Sequence, residues 1–140
     1  MMRVVNILLV EDDSLDVIDV KRTLDKLAIV YNMKVARNGE EAIRLLHDKR
    51  SDSFTVKPDF IILDLNMPKM NGLELLQILR GSEDWKDIKI FILTTSEDSG
   101  DKRAAQQYGI SGYIVKPLKF NSTGSMDAFN LMIDLMNMQN

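Results

Sequence analysis

Short runs of apolar residues alternate with longer amphipathic stretches along the chain. Each run is too short for a stable helix and lacks the apolar–polar alternation of a strand with one exposed face. Continuous runs of this kind are typical of strands that are buried on both faces of a parallel sheet. The pattern predicts five strands, the second of them the weakest, at residues 4–10, 33–36, 60–63, 88–93 and 112–115.

Helical patterns lie between and after these strands. Asp13 or Ser14 can cap the first helix, whose apolar stripe includes Val17 and Val20. Gly39 opens the second helix, with two acids in the first turn, where the helix dipole favours negative charge. Alternating strands and helices predict an α/β domain with a parallel sheet, right-handed crossovers and ligands bound at the carboxyl ends of the strands. The predicted helices cover about residues 14–27, 39–46, 73–79, 101–108 and 126–138.

Charged and polar residues end or follow four of the five predicted strands. Because the carboxyl ends of parallel strands open onto one edge of the sheet, we expect carboxylates, a hydroxyl and one lysine to converge there. These residues are Glu11, Asp12 and Asp13 after the first strand, Asp64 and Asn66 after the third, Thr94 at the fourth and Lys116 after the fifth.

Such a cluster carries more negative than positive charge. Two carboxylates ~4 Å apart repel by about 1 kcal/mol in water and by about 4 kcal/mol at an effective dielectric of 20. We therefore expect raised carboxyl pKa values and a bound cation. Mg²⁺ suits the cluster because it takes one or two carboxylates and completes its shell with water and phosphate oxygens. A carboxylate beside it can attack phosphorus and form an acyl phosphate, while the lysine neutralises phosphoryl oxygens.

Four motifs resemble the signature of bacterial response-regulator receiver domains. They are VEDD at residues 10–13, DLNMPKMNG at 64–72, LT at 93–94 and YIVKP at 113–117, in the order and spacing of that family. The resemblance covers nearly the whole chain. It implies a doubly wound, flavodoxin-like α/β fold whose five parallel strands lie in the order 2-1-3-4-5.

The resemblance also implies how phosphorylation and metal binding divide among these residues. Asp64 is expected to be the phosphoacceptor and, with Asp12, a direct ligand of Mg²⁺. Glu11 is expected to act on the metal through water, and Asn66 to offer its backbone carbonyl.

The remaining residues are expected to bind the phosphoryl group and report on it. By resemblance, Lys116 contacts a phosphoryl oxygen, and its peptide bond to Pro117 is expected to be cis. Thr94 is expected to move towards the phosphoryl group, and Tyr113 to change rotamer with it, as the readout of a two-state switch.

The resemblance predicts a signalling protein, not an enzyme with an external substrate. It would accept its phosphoryl group from a sensor histidine kinase or phosphotransfer protein, promote only its own phosphorylation and dephosphorylation, and change its protein-binding face. One alternative is an interaction module that works without phosphorylation, which the intact set of acids, threonine and lysine argues against. Another is a phosphatase of the haloacid-dehalogenase type, which is rejected because Asn66 stands where that class needs a second acid.

Length, composition and charge limit the possible domain organisation, binding partners and localisation. The 140 residues predict a single receiver domain over residues 1–140 without an output domain. A net charge of −3 and the lack of any apolar run near ~20 residues argue against direct binding of nucleic acid or a membrane. The absence of cysteine suits a cytoplasmic protein. Two apolar stripes on the last predicted helix favour an interface, which would suit a homodimer through the face of the fourth and fifth helices.

Overall fold

The computed structural model describes residues 4–26, 30–47, 57–67 and 69–116. Strands and helices alternate throughout these ranges, as the hydrophobic pattern predicts. The elements are β1 (Val5–Val10), α1 (Ser14–Lys26), β2 (Tyr31–Ala36), α2 (Gly39–His47), β3 (Phe60–Leu63), α3 (Gly72–Arg80), β4 (Lys89–Thr94), α4 (Ser99–Gln107) and β5 (Gly112–Val115).

The strands form one parallel sheet in the order β2-β1-β3-β4-β5, which confirms the fold class and strand order implied by the resemblance. Strand β1 lies at the switch point of this order, between β2 and β3. In doubly wound sheets the crevice outside the carboxyl ends of the strands at such a point is where ligands bind.

Alternate side chains of the strands pack on opposite faces of the sheet. In β1, Leu8 and Val10 join an apolar cluster with residues of α2, α3 and α4, whereas Ile7 and Leu9 join one with residues of α1. All four are at most 1% exposed. Burying a side chain of this size contributes about 1.5–3 kcal/mol, so the two layers hold the sheet edge in place.

Several element bounds differ from the predicted ones for identifiable reasons. Strand β2 begins at Tyr31, not Met33, because its first residues pair with Val5 and Asn6 of β1. Helix α4 begins at Ser99, not Asp101, because the carboxylate of Asp98 accepts hydrogen bonds from two backbone amides of its first turn. Strand β4 ends one residue later than predicted.

Some predictions fall on residues outside the described ranges. These are the last helix at about residues 126–138 and the cis peptide bond at Pro117. A homodimer through the fourth and fifth helices therefore stays a prediction.

Candidate functional site

Three carboxylates from the loops after β1 and β3 meet at the carboxyl edge of the sheet. Glu11, Asp12 and Asp64 each place an oxygen within 4.8 Å of the others. Glu11 and Asp64 are 1% and 5% exposed, whereas Asp12 is exposed to solvent. The structure thus brings together three of the four acids that were predicted to converge, whereas the carboxylate of Asp13 accepts hydrogen bonds from the first turn of α1.

Lys116 lies in the middle of this negative charge. Its Nζ is 2.5 Å from Oε1 of Glu11, 2.7 Å from Oδ2 of Asp16 and 3.2 Å from Oδ2 of Asp64. Its side chain is only 7% exposed. The backbone amide of Lys116 donates to the carbonyl oxygen of Thr94 at 2.7 Å, which ties the end of β5 to the end of β4.

The cluster keeps a net negative charge in spite of this lysine. Burial raises the pKa of Glu11 to about 7, the nearby Asp64 charge adds to the rise, and the bond from Lys116 opposes it. Burial by itself would lower the pKa of Lys116, but its bonds to Asp16 and Glu11 outweigh burial and raise it. The ammonium therefore stays protonated, and one raised carboxyl pKa is what the charge pattern of the sequence predicts.

The donor set fits a hard divalent cation. Carboxylate oxygens are the ligands that Mg²⁺ and Mn²⁺ prefer, and the uncompensated charge of the cluster favours a positive ion. Asp12 and Asn66 also line an open cavity of about 440 Å³ in which water and phosphate oxygens could complete a coordination shell.

Asn66 links the phosphoacceptor candidate to the end of β4. Its backbone amide donates to Oδ1 of Asp64 at 3.0 Å. Its side-chain amide donates to Oγ1 of Thr94 at 3.3 Å and lies 3.4 Å from Oγ1 of Thr95. Thr94 is fully buried. The contact of the Asn66 side-chain amide with Thr94 was not predicted from the sequence, which assigned a metal-binding role only to the backbone carbonyl of Asn66.

The response regulator receiver domain model matches residues 7–124. The chain belongs to the response-regulator receiver family. Members act as phosphoacceptor signalling modules, in which phosphorylation on an aspartate by a kinase partner is the norm, and receiver domains bind a divalent metal ion.

Individual relatives of this receiver agree in sequence and fold. The response regulator Rcp1 of Synechocystis sp. is 33% identical over 79% of this chain and 75% of its own length. A solved structure of the Mn²⁺-bound form of a response regulator Rcp1 superposes with a TM-score of 0.71 at 30% identity, over 93% of this chain and 90% of that one. A two-component response regulator from Legionella pneumophila has a TM-score of 0.77 at 34% identity, over 95% and 98%. The phosphorylated cyanobacterial phytochrome response regulator RcpA has a TM-score of 0.74 at 26% identity, over 95% and 91%.

Tyr113 occupies the other end of the predicted switch in this receiver. Its hydroxyl donates to the backbone carbonyl of Ser96 at 3.1 Å, and the ammonium of Lys102 lies 5.7 Å from its ring centroid. Burial raises the pKa of this hydroxyl. Tyr113 thus contacts the loop after β4 at Ser96, two residues after Thr94.

Asp16 is the site residue that sequence analysis missed entirely. Asp13 caps helix α1 by accepting from the amides of Leu15 and Asp16 at 2.8 and 3.3 Å. This cap, predicted for Asp13 or Ser14, sets the first turn of α1 beside the strand ends, where Asp16 meets Lys116. In the sequence, Asp16 looks like any acid that favours the start of a helix.

Within the described part of the chain, no helix is long and apolar enough to cross a membrane.

Proposed function

We propose that Asp64 is the phosphoacceptor of this receiver and that Lys116 and Mg²⁺ neutralise the transferred phosphoryl group. The observation that carries this assignment is the contact of Lys116 with Asp64 inside a cluster of three carboxylates at the switch point of the sheet. With the strands in this order, the proposed nucleophile Asp64 lies beside the ammonium of Lys116 and beside the carboxylates that could bind a metal ion. The receiver family supplies the reaction class, and the residues supply the roles.

The chemical step needs only groups at this edge and a phosphoryl donor. A carboxylate oxygen of Asp64 attacks phosphorus, and the bond between phosphorus and the leaving group breaks with its electron pair on that group. The leaving group is the imidazole nitrogen of a phosphohistidine, or acetate when acetyl phosphate is the donor. Water later attacks the acyl phosphate, which returns Asp64 as a carboxylate and releases inorganic phosphate.

The residues hold the phosphoryl group by opposing its charge. The ammonium of Lys116 would bond a phosphoryl oxygen, because one of its contacts already faces Asp64. Mg²⁺ would be held by Asp12 and Asp64, the backbone carbonyl of Asn66 and, through water, Glu11. When bound, it supplies further positive charge against the phosphoryl oxygens.

The switch would run from Thr94 to Tyr113. The Thr94 hydroxyl accepts from Asn66 and would turn to donate to a phosphoryl oxygen. Tyr113 would then exchange its bond to the Ser96 carbonyl for a second rotamer and change the surface of β4, β5 and α4. A sensor histidine kinase or phosphotransfer protein in the cytoplasm is the proposed donor, and residues 1–140 form the proposed domain.

Intact-protein mass spectrometry after incubation with acetyl phosphate tests the assignment directly. We expect one phosphoryl adduct that requires Mg²⁺ and is absent from Asp64→Asn. Asp84 is an exposed acid near the opposite end of β3, where its backbone carbonyl accepts from Lys57, and Asp84→Asn should keep the adduct. No adduct on folded, Mg²⁺-loaded wild type would favour an interaction module that works without phosphorylation, and an adduct on Asp64→Asn would move the phosphoacceptor elsewhere.

A further inference from the structure

All three N–H groups of Lys116 have a carboxylate within reach. The contacts to Glu11 and Asp16 are the shorter two, at 2.5 and 2.7 Å, and the contact to Asp64 is 3.2 Å. An ammonium carries three donors, so two of them are held away from the phosphoacceptor and one is left for it. Asp16 makes its contact from helix α1, whereas the other two acids follow strands of the sheet.

Asp16 stands apart from the acids that could hold a cation. Glu11, Asp12 and Asp64 form the three-carboxylate cluster, and Asp16 does not belong to it. A cation bound there would draw on the charge of Glu11 and so weaken its bond to Lys116. Asp16 would then be the carboxylate that still restrains the ammonium, since it contacts Lys116 at 2.7 Å and lies outside the cluster that would bind the cation.

We propose that Asp16 is a positioning residue for phosphoryl transfer, which anchors Lys116 so that its remaining N–H faces Asp64. The proposal rests on Asp64 being the phosphoacceptor. Lysine has a flexible four-carbon stem and a compact charge, so without a second anchor its ammonium would sample positions away from the phosphoryl oxygens. Misplacement of a charged group by about 1 Å can cost as much as 10²-fold in rate.

The first test is the rate of phosphorylation by acetyl phosphate at saturating Mg²⁺, followed by intact mass. We expect Asp16→Ala to be slower by roughly tenfold, within the range that misplaced groups cause. Asp16→Asn should lose less, because its amide oxygen still accepts a hydrogen bond. The concentrations of Mg²⁺ and acetyl phosphate at half-maximal rate should stay near those of the wild type, since Asp16 contacts neither.

Asp19→Asn is the matched control. It removes the same charge from the same helix, one turn further from the site, and should phosphorylate at the wild-type rate. A double-mutant cycle adds the decisive comparison: in a Lys116→Ala background, Asp16→Ala should change the rate no further. An equal loss in that background, an equal loss in Asp19→Asn, or an unchanged or faster rate in Asp16→Ala would each overturn the proposal.

A second readout does not depend on phosphorylation. In the metal-free protein, the ammonium hydrogens of Lys116 should exchange slowly with water in wild type and in Asp19→Asn, which gives a sharp ¹H–¹⁵N signal. In Asp16→Ala their exchange should be faster and the signal broader. If the signal of folded Asp16→Ala equals that of the wild type, Asp16 does not anchor Lys116. A wild type that shows this behaviour but takes no adduct would refute Asp64 as phosphoacceptor and still leave the anchor supported.

Discussion

Lys116 carries the positive charge that opposes four neighbouring carboxylates at this edge of the sheet. Three carboxylates contact its ammonium, and Asp12 lies within the same cluster. Removing one partner of a buried ion pair is costly because the other charge remains buried without compensation. Loss of the lysine and loss of one of its several acids should therefore have opposite effects on stability.

We expect Lys116→Met to lower the free energy of unfolding of the metal-free protein by about 3–5 kcal/mol, since it leaves buried carboxylates uncompensated. Asp64→Asn should raise it by about 1 kcal/mol, because Lys116 keeps Glu11 and Asp16 while the repulsion between carboxylates falls. Urea unfolding in the presence of a chelator measures both. The exposed control Asp84→Asn should stay within about 0.5 kcal/mol of wild type. A destabilised Asp64→Asn would mean that its contact with Lys116 outweighs the repulsion.

At the scale of elements, the strands were easier to predict than the contacts between them. The bounds of β3 and β5 match the apolar runs, because both strands are short and flanked by polar residues. The start of β2 depends on its pairing with β1, which no local pattern encodes. Asp16 was missed for the same reason: its partner Lys116 lies 100 positions further along the chain. Sequence patterns therefore predicted which acids reach the edge from the strands, but not the acid that reaches it from a helix.

The two ends of helix α3 offer a matched test of how tightly this edge is packed. A Cβ on Gly72 would meet the carbonyl oxygen of Asp64 and come within 2.6 Å of Cα of Leu65, both parts of the backbone that carries the proposed phosphoacceptor. A Cβ on Gly81 would meet its neighbours at 3.6 and 3.7 Å, which is ordinary contact. The backbone of Gly81 also lies in the right-handed helical region, at φ −87°.

We expect Gly72→Ala to lower the free energy of unfolding by about 1–3 kcal/mol, the usual cost of overpacking, and to slow phosphorylation because the Asp64 backbone must shift. Gly81→Ala should be neutral or stabilise by up to about 1 kcal/mol, since it reduces the freedom of the unfolded chain. Thermal unfolding and the acetyl phosphate assay measure the two effects. Equal behaviour of both variants would show that the loop after β3 yields to the added methyl group.

For the molecule as a whole, the acid cluster exists only in the folded state. Glu11 and Asp12 follow β1 and Asp64 follows β3, so the three carboxylates meet only when these strands pair. A cation that binds this cluster has no equivalent site on the unfolded chain. Binding to the native state alone stabilises it by mass action, by about 2.7 kcal/mol at a hundred times the Kd.

Millimolar Mg²⁺ should therefore raise the melting temperature, by roughly 2–4 °C for each kcal/mol in a domain of this size. Differential scanning calorimetry at matched ionic strength separates this effect from general screening of a chain with net charge −3. Asp12→Asn should lose most of the rise, because it removes the exposed carboxylate of the cluster. Asp16→Asn should keep it, because Asp16 lies outside the three-carboxylate cluster. A rise that survives Asp12→Asn but disappears in Asp16→Asn would instead mean that the cation binds beside Asp16 and not beside Asp12.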